Sequence, residues 1–235
     1  MTTRFEHEQE HEQEQEGVIK YQLQFKEQAL SENLLIDKLS DNNSLEALLN
    51  ELNLSRNILK ERGLIGQDPC RYGGDGFGNI SVRIHGRNFL ISGSQTGHIE
   101  TLSLGDVALV DGFNIETNFL AAYGLTKPSS ESMTHGVCFQ AFADIGAVVH
   151  VHSPDIWQAI DSLNLPFTDH AIPYGTPRMA QAVNDILLAN HHYSRSTIFA
   201  MKGHEDGIVV VGENLNSCTS SLLDCLNESL LTGST

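Results

Sequence analysis

Ala147-Val148-Val149-His150-Val151-His152-Ser153 is the stretch that decides how this chain is read. A short, nearly all-apolar run rich in valine reads as a buried strand, here interrupted by two histidines. Residues two apart on a strand share a face. His150 and His152 therefore project side by side, at a spacing suited to one metal ion. A pair of strand histidines on a solvated face would give the same pattern, so the pair alone supports both readings equally.

Working outward, a third histidine stands in Gly203-His204-Glu205-Asp206-Gly207, just before an apolar strand over residues 208–211. This is a turn, whose side chains are expected to face outward. Three imidazoles from these two separate segments leave one coordination position open, as in catalytic rather than structural zinc sites. His135 and His170 lie near the same segments and compete for the role. His191 and His192 fall in a polar linker and are expected to be exposed. Upstream, Lys127-Pro128-Ser129-Ser130-Glu131 reads as a helix opening, with a proline and a serine to cap free amides. Such an end also offers N–H groups to a phosphate or carboxylate. Glu131, expected in the first turn, is favoured there by the helix dipole whether or not it moves protons.

The remaining pattern places a strand over residues 18–25 and a helix over 44–62. Leu45, Leu48, Leu49, Leu52, Leu54, Ile58 and Leu59 supply the apolar spacing of that helix. A Gly-rich stretch from Tyr72 to Asn79 feeds a strand over 80–84, and a second strand returns over 88–92. A loop follows at 93–97, then a short turn over 102–106 and a strand over 107–110. Helices are expected over 131–143, 179–188 and 215–231, and further strands over 147–151 and 197–201. Interleaved strands and helices of this kind make a sheet flanked by helices, in an α/β or α+β domain.

At 235 residues the chain can bury one substantial core. The formal net charge is −16 with only 14 Lys and Arg, which excludes nucleic acid as the main partner. Residues 1–17 are expected to be a disordered acidic tail, since 6–16 alternate Glu with His and Gln and hold nothing apolar to bury. His7 and His11 could scavenge metal there, but a solvated tail explains them as well. The remainder, 18–235, is expected to be a single domain. The four cysteines form no C-x-x-C pair, which fits free thiols in a reducing cytoplasm. No apolar run is long enough to cross a bilayer, and no secretory signal is expected.

Several blocks in order carry a resemblance: Gly78-Asn79-Ile80-Ser81, Phe89-Leu90-Ile91-Ser92 with Thr96-Gly97, Lys127 to Glu131, Ala147 to Ser153, and Gly203 to Ile208. The chain resembles the class II aldolase/adducin family, fuculose-phosphate aldolases in particular, over roughly residues 45–231. The resemblance implies a three-layer α/β/α fold, with a central, mostly antiparallel sheet flanked by helices on both sides, assembled as a homotetramer. It implies His150, His152 and His204 as ligands of Zn²⁺, with Mn²⁺, Co²⁺ or Fe²⁺ as alternatives. Glu131 would be the acid/base residue. Gly78, Asn79, Thr96, Gly97, Ser129 and Ser130 would hold a substrate phosphate.

The implied activity is aldol-type cleavage of a small hydroxy-carbonyl or sugar-phosphate compound through an enediolate that zinc stabilises. Dehydration or epimerisation at the same site, or a non-catalytic adducin-like binding module, are the alternatives. Epimerase members carry Asp where Glu131 stands, and adducins lack the histidines. Two features depart from the family pattern. Glu205 and Asp206 follow the third histidine where many members read H-H-G. Two extra residues also precede Thr96, so a carboxylate or an unphosphorylated carbonyl compound is an alternative ligand.

Overall fold

The computed structural model describes residues 18–31, 44–192 and 195–232. The acidic tail expected over 1–17 lies outside the described residues. Nine strands form one sheet among the described residues. Its order is β1 (Gln22–Glu27), β7 (Phe119–Gly124), β6 (Val107–Asn114), β5 (Asn88–Ser92), β4 (Asn79–His85), β8 (Ala147–His152), β11 (Gly207–Gly212), β10 (Thr197–Met201) and β9 (Phe167–Thr168). Neighbours are antiparallel except at the two margins, where β1 pairs with β7 and β9 with β10 in parallel. The short strands β2 (Gly66–Gln67) and β3 (Gly76–Phe77) make a separate ribbon.

Helices cover both faces, giving the mostly antiparallel, helix-flanked architecture the sequence led us to expect. On one face α1 (Leu45–Glu61), α3 (Pro154–Gln158) and α5 (Leu215–Thr232) pack over Ile80, Val82, Val149, Val151 and Ile208. On the other, α2 (Ser132–Ala141) and α4 (Pro177–Asn190) pack over Phe89, Val110, Val148, Val209 and Val211. Strand alternation sorts β8 between the two cores. Val149 and Val151 enter one, and Val148 the other, on the face that also carries His150 and His152.

Local chemistry explains where the helices begin. The hydroxyl oxygens of Ser44, Ser153 and Thr176 each accept a backbone N–H of the first turn, and Pro154 and Pro177 occupy initial helical positions. The helix expected from Glu131 begins at Ser132 instead. Pro128 is not at its first turn: it bridges to Gly93 as an extra rung beside the sheet. Strand β7 was not anticipated, and β1 lies further along than the expected 18–25, because it pairs in register with β7.

The reading of α1 also needs correction. Leu54 and Ile58 are exposed, whereas Asn53, Ser55 and Arg56 are buried. The helix turns a polar stripe inward because the loop over 93–103 presents backbone carbonyls there. Arg56 donates to the carbonyls of Thr96 (2.8 Å) and Glu100 (3.2 Å). The Asn53 amide donates to Leu102 O and its oxygen accepts from Leu102 N–H.

Candidate metal centre and polar cleft

Register builds the site. Strand β11 sets Val209 opposite His150 and Gly207 opposite His152, while β4 sets Asn79 opposite His150. His204 lies in the turn entering β11, which is closed by His204 N–H to Met201 O (2.8 Å) and Gly207 N–H to His204 O (3.0 Å). The turn swings the imidazole inward: His204 is 4% exposed, against the outward orientation expected. Gly207 makes room for it. A Cβ there would stand 2.9 Å from His204 O and 3.3 Å from His150 Cε1.

His150, His152 and His204 converge, with one ligating atom of each lying within 4.8 Å of the others. His150 Nε2 and His152 Nε2 are 3.2 Å apart. Two nitrogens about 2.0–2.1 Å from one tetrahedral ion would be separated by roughly 3.3 Å, so the donor set fits a divalent cation. The carbonyl of Ile208 lies 3.2 Å from His150 Nδ1. Donation from that nitrogen leaves Nε2 with its lone pair toward the cluster. Burial, and then the proximity of His204, hold His150 and His152 well below the ordinary imidazole pKa. Both are therefore neutral at physiological pH, as ligands must be.

Glu131 occupies the N-cap position of α2, not its first turn, and its side chain makes no capping hydrogen bond. The carboxylate is 1% exposed and faces the cluster instead. Its Oε1 lies 3.6 Å from His204 Nδ1, and its Oε2 accepts from the Thr134 hydroxyl at 2.9 Å. Ser129 takes over local duties at this helix start: its Oγ accepts Glu131 N–H (3.3 Å) and its carbonyl accepts from Ser132 Oγ (2.6 Å).

Gly78, Asn79, Thr96, Gly97, Ser129 and Ser130 line one narrow polar cleft of about 20 Å³, joined by Ser94 and Gln95. Asn79 Oδ1 is buried and has no hydrogen-bond partner among the described residues. Gly78 has φ +72° and Gly97 sits so close to Gly66 that a Cβ would lie 2.1 Å from its carbonyl oxygen. Glycine is therefore required at both positions to bring backbone to the cleft wall. The Gln95 side-chain carbonyl accepts Gly76 N–H at 3.0 Å.

The other histidines do not join the cluster. His135 is fully buried, 2.6 Å from Ser81 Oγ through Nδ1, and burial lowers its pKa to about 3. The His170 side chain is 86% exposed. His191, expected to be exposed, is tucked in: its Nε2 lies 3.0 Å from Asp144 and its ring lies tilted against Phe142, 4.3 Å between centroids.

Sequence reasoning missed a second ring of residues. The Tyr174 ring stacks on His204 (4.5 Å between centroids, 21° between planes), and Lys20 Nζ lies 3.7 Å above the Tyr174 ring. Tyr21 is buried and its hydroxyl donates to Ser129 O at 2.8 Å. Asn118 Nδ2 donates to both Lys20 O (3.1 Å) and Gly175 O (3.3 Å), tying these pieces together. No spacing rule links residues so distant along the chain; only the alternation around Tyr21 hinted at a strand there.

Comparison with known proteins agrees with this architecture. Residues 72–223 match the model of the "Class II Aldolase and Adducin N-terminal domain". The chain belongs to the class II aldolase and adducin family. Among solved structures, YgbL from Klebsiella pneumoniae, described as a putative aldolase/epimerase/decarboxylase, superposes with a TM-score of 0.59 at 19% identity. That match covers 82% of this chain and 91% of that one. L-fuculose-1-phosphate aldolase from Thermus thermophilus gives 0.57 at 19% identity, over 79% and 92%. A probable L-ribulose-5-phosphate 4-epimerase, UlaF, from Mycoplasma pneumoniae is 32% identical over 77 residues, 33% of this chain. The chain matches only 30% of that relative's length. Among the described residues no helix is long and apolar enough to cross a membrane.

Proposed function

We propose that the chain is a metal-dependent lyase that cleaves a small hydroxy-carbonyl compound, sugar phosphates included, by a retro-aldol step. The observation that carries this is the buried Glu131 carboxylate, 3.6 Å from a histidine of a three-imidazole cluster. A divalent ion held by His150, His152 and His204, Zn²⁺ first and Mn²⁺, Co²⁺ or Fe²⁺ otherwise, supplies Lewis acidity that stabilises negative charge on substrate oxygen. Glu131 takes the proton of the substrate hydroxyl as the carbon–carbon bond breaks, and returns a proton to the carbanionic carbon. Thr134 holds the carboxylate in place through Oε2, which leaves Oε1 toward the cluster.

The polar cleft orients the far end of the substrate through Asn79, Ser129, Ser130 and the glycine backbone. Its volume of about 20 Å³ compares with the roughly 10–15 Å³ one water needs. A carboxylate or hydroxyl terminus in the same cleft defines a second substrate class. The enzyme is proposed to act in the cytoplasm as a homotetramer, with residues 18–235 as one domain; its free cysteines agree with that compartment.

Glu131→Gln tests the assignment. Metal content should be unchanged, while aldehyde release from an active substrate falls about a hundred- to ten-thousand-fold. Unaltered turnover removes Glu131 from the mechanism, and a purified protein that takes up no divalent ion near neutral pH removes the metal. Dehydration or epimerisation is the second reading, supported by the match to the probable 4-epimerase, and product analysis on hydroxy-carbonyl panels separates them. An adducin-like binding module would have no reason to gather three buried imidazoles.

A further inference from the structure

The geometry points to Tyr72 and Asp206 as positioning residues, a hydrogen-bonded clamp that fixes the two ligand-bearing segments of the imidazole cluster relative to each other. It rests on the metal-site reading above. Asp206 is two residues beyond His204, and a carboxylate there invites assignment as a fourth ligand. The structure spends it otherwise: its Oδ2 accepts the Tyr72 hydroxyl at 2.7 Å, while the cluster comprises the three histidines alone among the described residues. Glu205 beside it is exposed.

The clamp touches both segments. The Tyr72 ring meets the His152 ring edge-on at 4.6 Å, and Phe77 backs Tyr72 at 5.1 Å. The Asp206 carbonyl accepts Ser153 N–H at 2.9 Å, just past His152. Arg71 completes the frame, donating to the Tyr72 hydroxyl oxygen (2.9 Å), to His152 O (3.2 Å) and to Gly63 O (2.8 Å). Both Tyr72 (φ 48°) and Asp206 (φ 59°) adopt the left-handed backbone conformation that non-glycine residues rarely enter. Such conformations persist where surrounding contacts over-determine them, and they concentrate at functional sites. Residues that orient metal ligands from behind typically change metal affinity about 10- to 100-fold when altered.

The test is a metal titration of stripped full-length protein, with a chelating dye for Zn²⁺ and the visible spectrum for Co²⁺. Tyr72→Phe and Asp206→Ala should each weaken Zn²⁺ binding about tenfold and shift the Co²⁺ bands. The double variant should be no weaker than either single one. Asp206→Asn, which keeps an oxygen to accept the Tyr72 hydroxyl, should restore most of the affinity. Single variants within twofold of the parent, or losses that multiply in the double variant, overturn the clamp. So does Asp206→Asn matching Asp206→Ala with a Co²⁺ spectrum that has lost a ligand.

A parent protein that binds no metal refutes the metal site instead. The clamp is then read in metal-free protein from hydrogen exchange at the Ser153 amide. Exchange faster in Tyr72→Phe than in the parent supports it, and equal exchange overturns it.

Discussion

His135 and His150 are both fully buried imidazoles, yet they sit in different surroundings. His135 has its Nδ1 bonded to Ser81 and stays neutral because burial lowers its pKa to about 3. In the unfolded chain an imidazole takes up its proton near pH 6.5. Below that pH the unfolded state binds a proton that the native state refuses, so stability declines as pH falls from about 6.5 toward 3. The slope is about 1.4 kcal/mol per pH unit for this one group. In urea titrations between pH 7 and 5, His135→Gln should flatten the acid limb by that amount, and an unchanged limb would contradict the burial argument. Residue identity was the most legible part of the candidate site, because the ordered blocks fixed which side chains to watch. Orientation was not legible: the inward turn of His204 and the N-cap placement of Glu131 depend on hydrogen bonds that close only in three dimensions.

Helix α1 shows how an element can mislead when apolar spacing is its only guide. Its leucines gave its extent to within a residue or so, but Leu54 and Ile58 face outward while Arg56 is 1% exposed. Arg56 and Asn53 satisfy carbonyls of the loop that delivers Thr96 and Gly97 to the cleft. A guanidinium buried among carbonyls cannot be replaced by a compact ammonium without leaving acceptors unmet. Arg56→Ala should destabilise the fold by roughly 2–3 kcal/mol in chemical denaturation, the cost of orphaned buried acceptors. Arg56→Lys should recover only part of it, whereas Leu54→Ala should be nearly silent. Equal effects of Arg56→Ala and Leu54→Ala would show that the polar stripe is incidental. Strand β7 escaped notice for a related reason: its buried face is Leu120 followed by Ala122 and Gly124, and the last two are too small to stand out as an apolar face.

At the scale of the molecule, two separate cores sandwich the sheet and enclose most of the sulfur. Cys138 and Cys218 are fully buried and Cys225 nearly so, leaving Cys70 alone exposed. Burial raises the pKa of all three, to about 12 for Cys218 and about 11 for Cys225. A thiol reagent at pH 8 should therefore modify one cysteine promptly in native protein and four after denaturation. Two or more prompt thiols would mean that a core opens readily. The layered architecture was legible because interleaved strand and helix patterns admit few arrangements. The marginal strands were not, since β1 and β9 owe their existence to a neighbour supplied from elsewhere in the chain.

The residues just before strand β1 bear on any attempt to excise or transplant this fold. The match to the family model begins at Tyr72, but Lys20 and Tyr21 lean on Tyr174 and Ser129 from far upstream. A fragment cut where the family match starts would keep every proposed ligand and Tyr174 itself, yet lose the ammonium behind Tyr174 and the hydroxyl that braces Ser129.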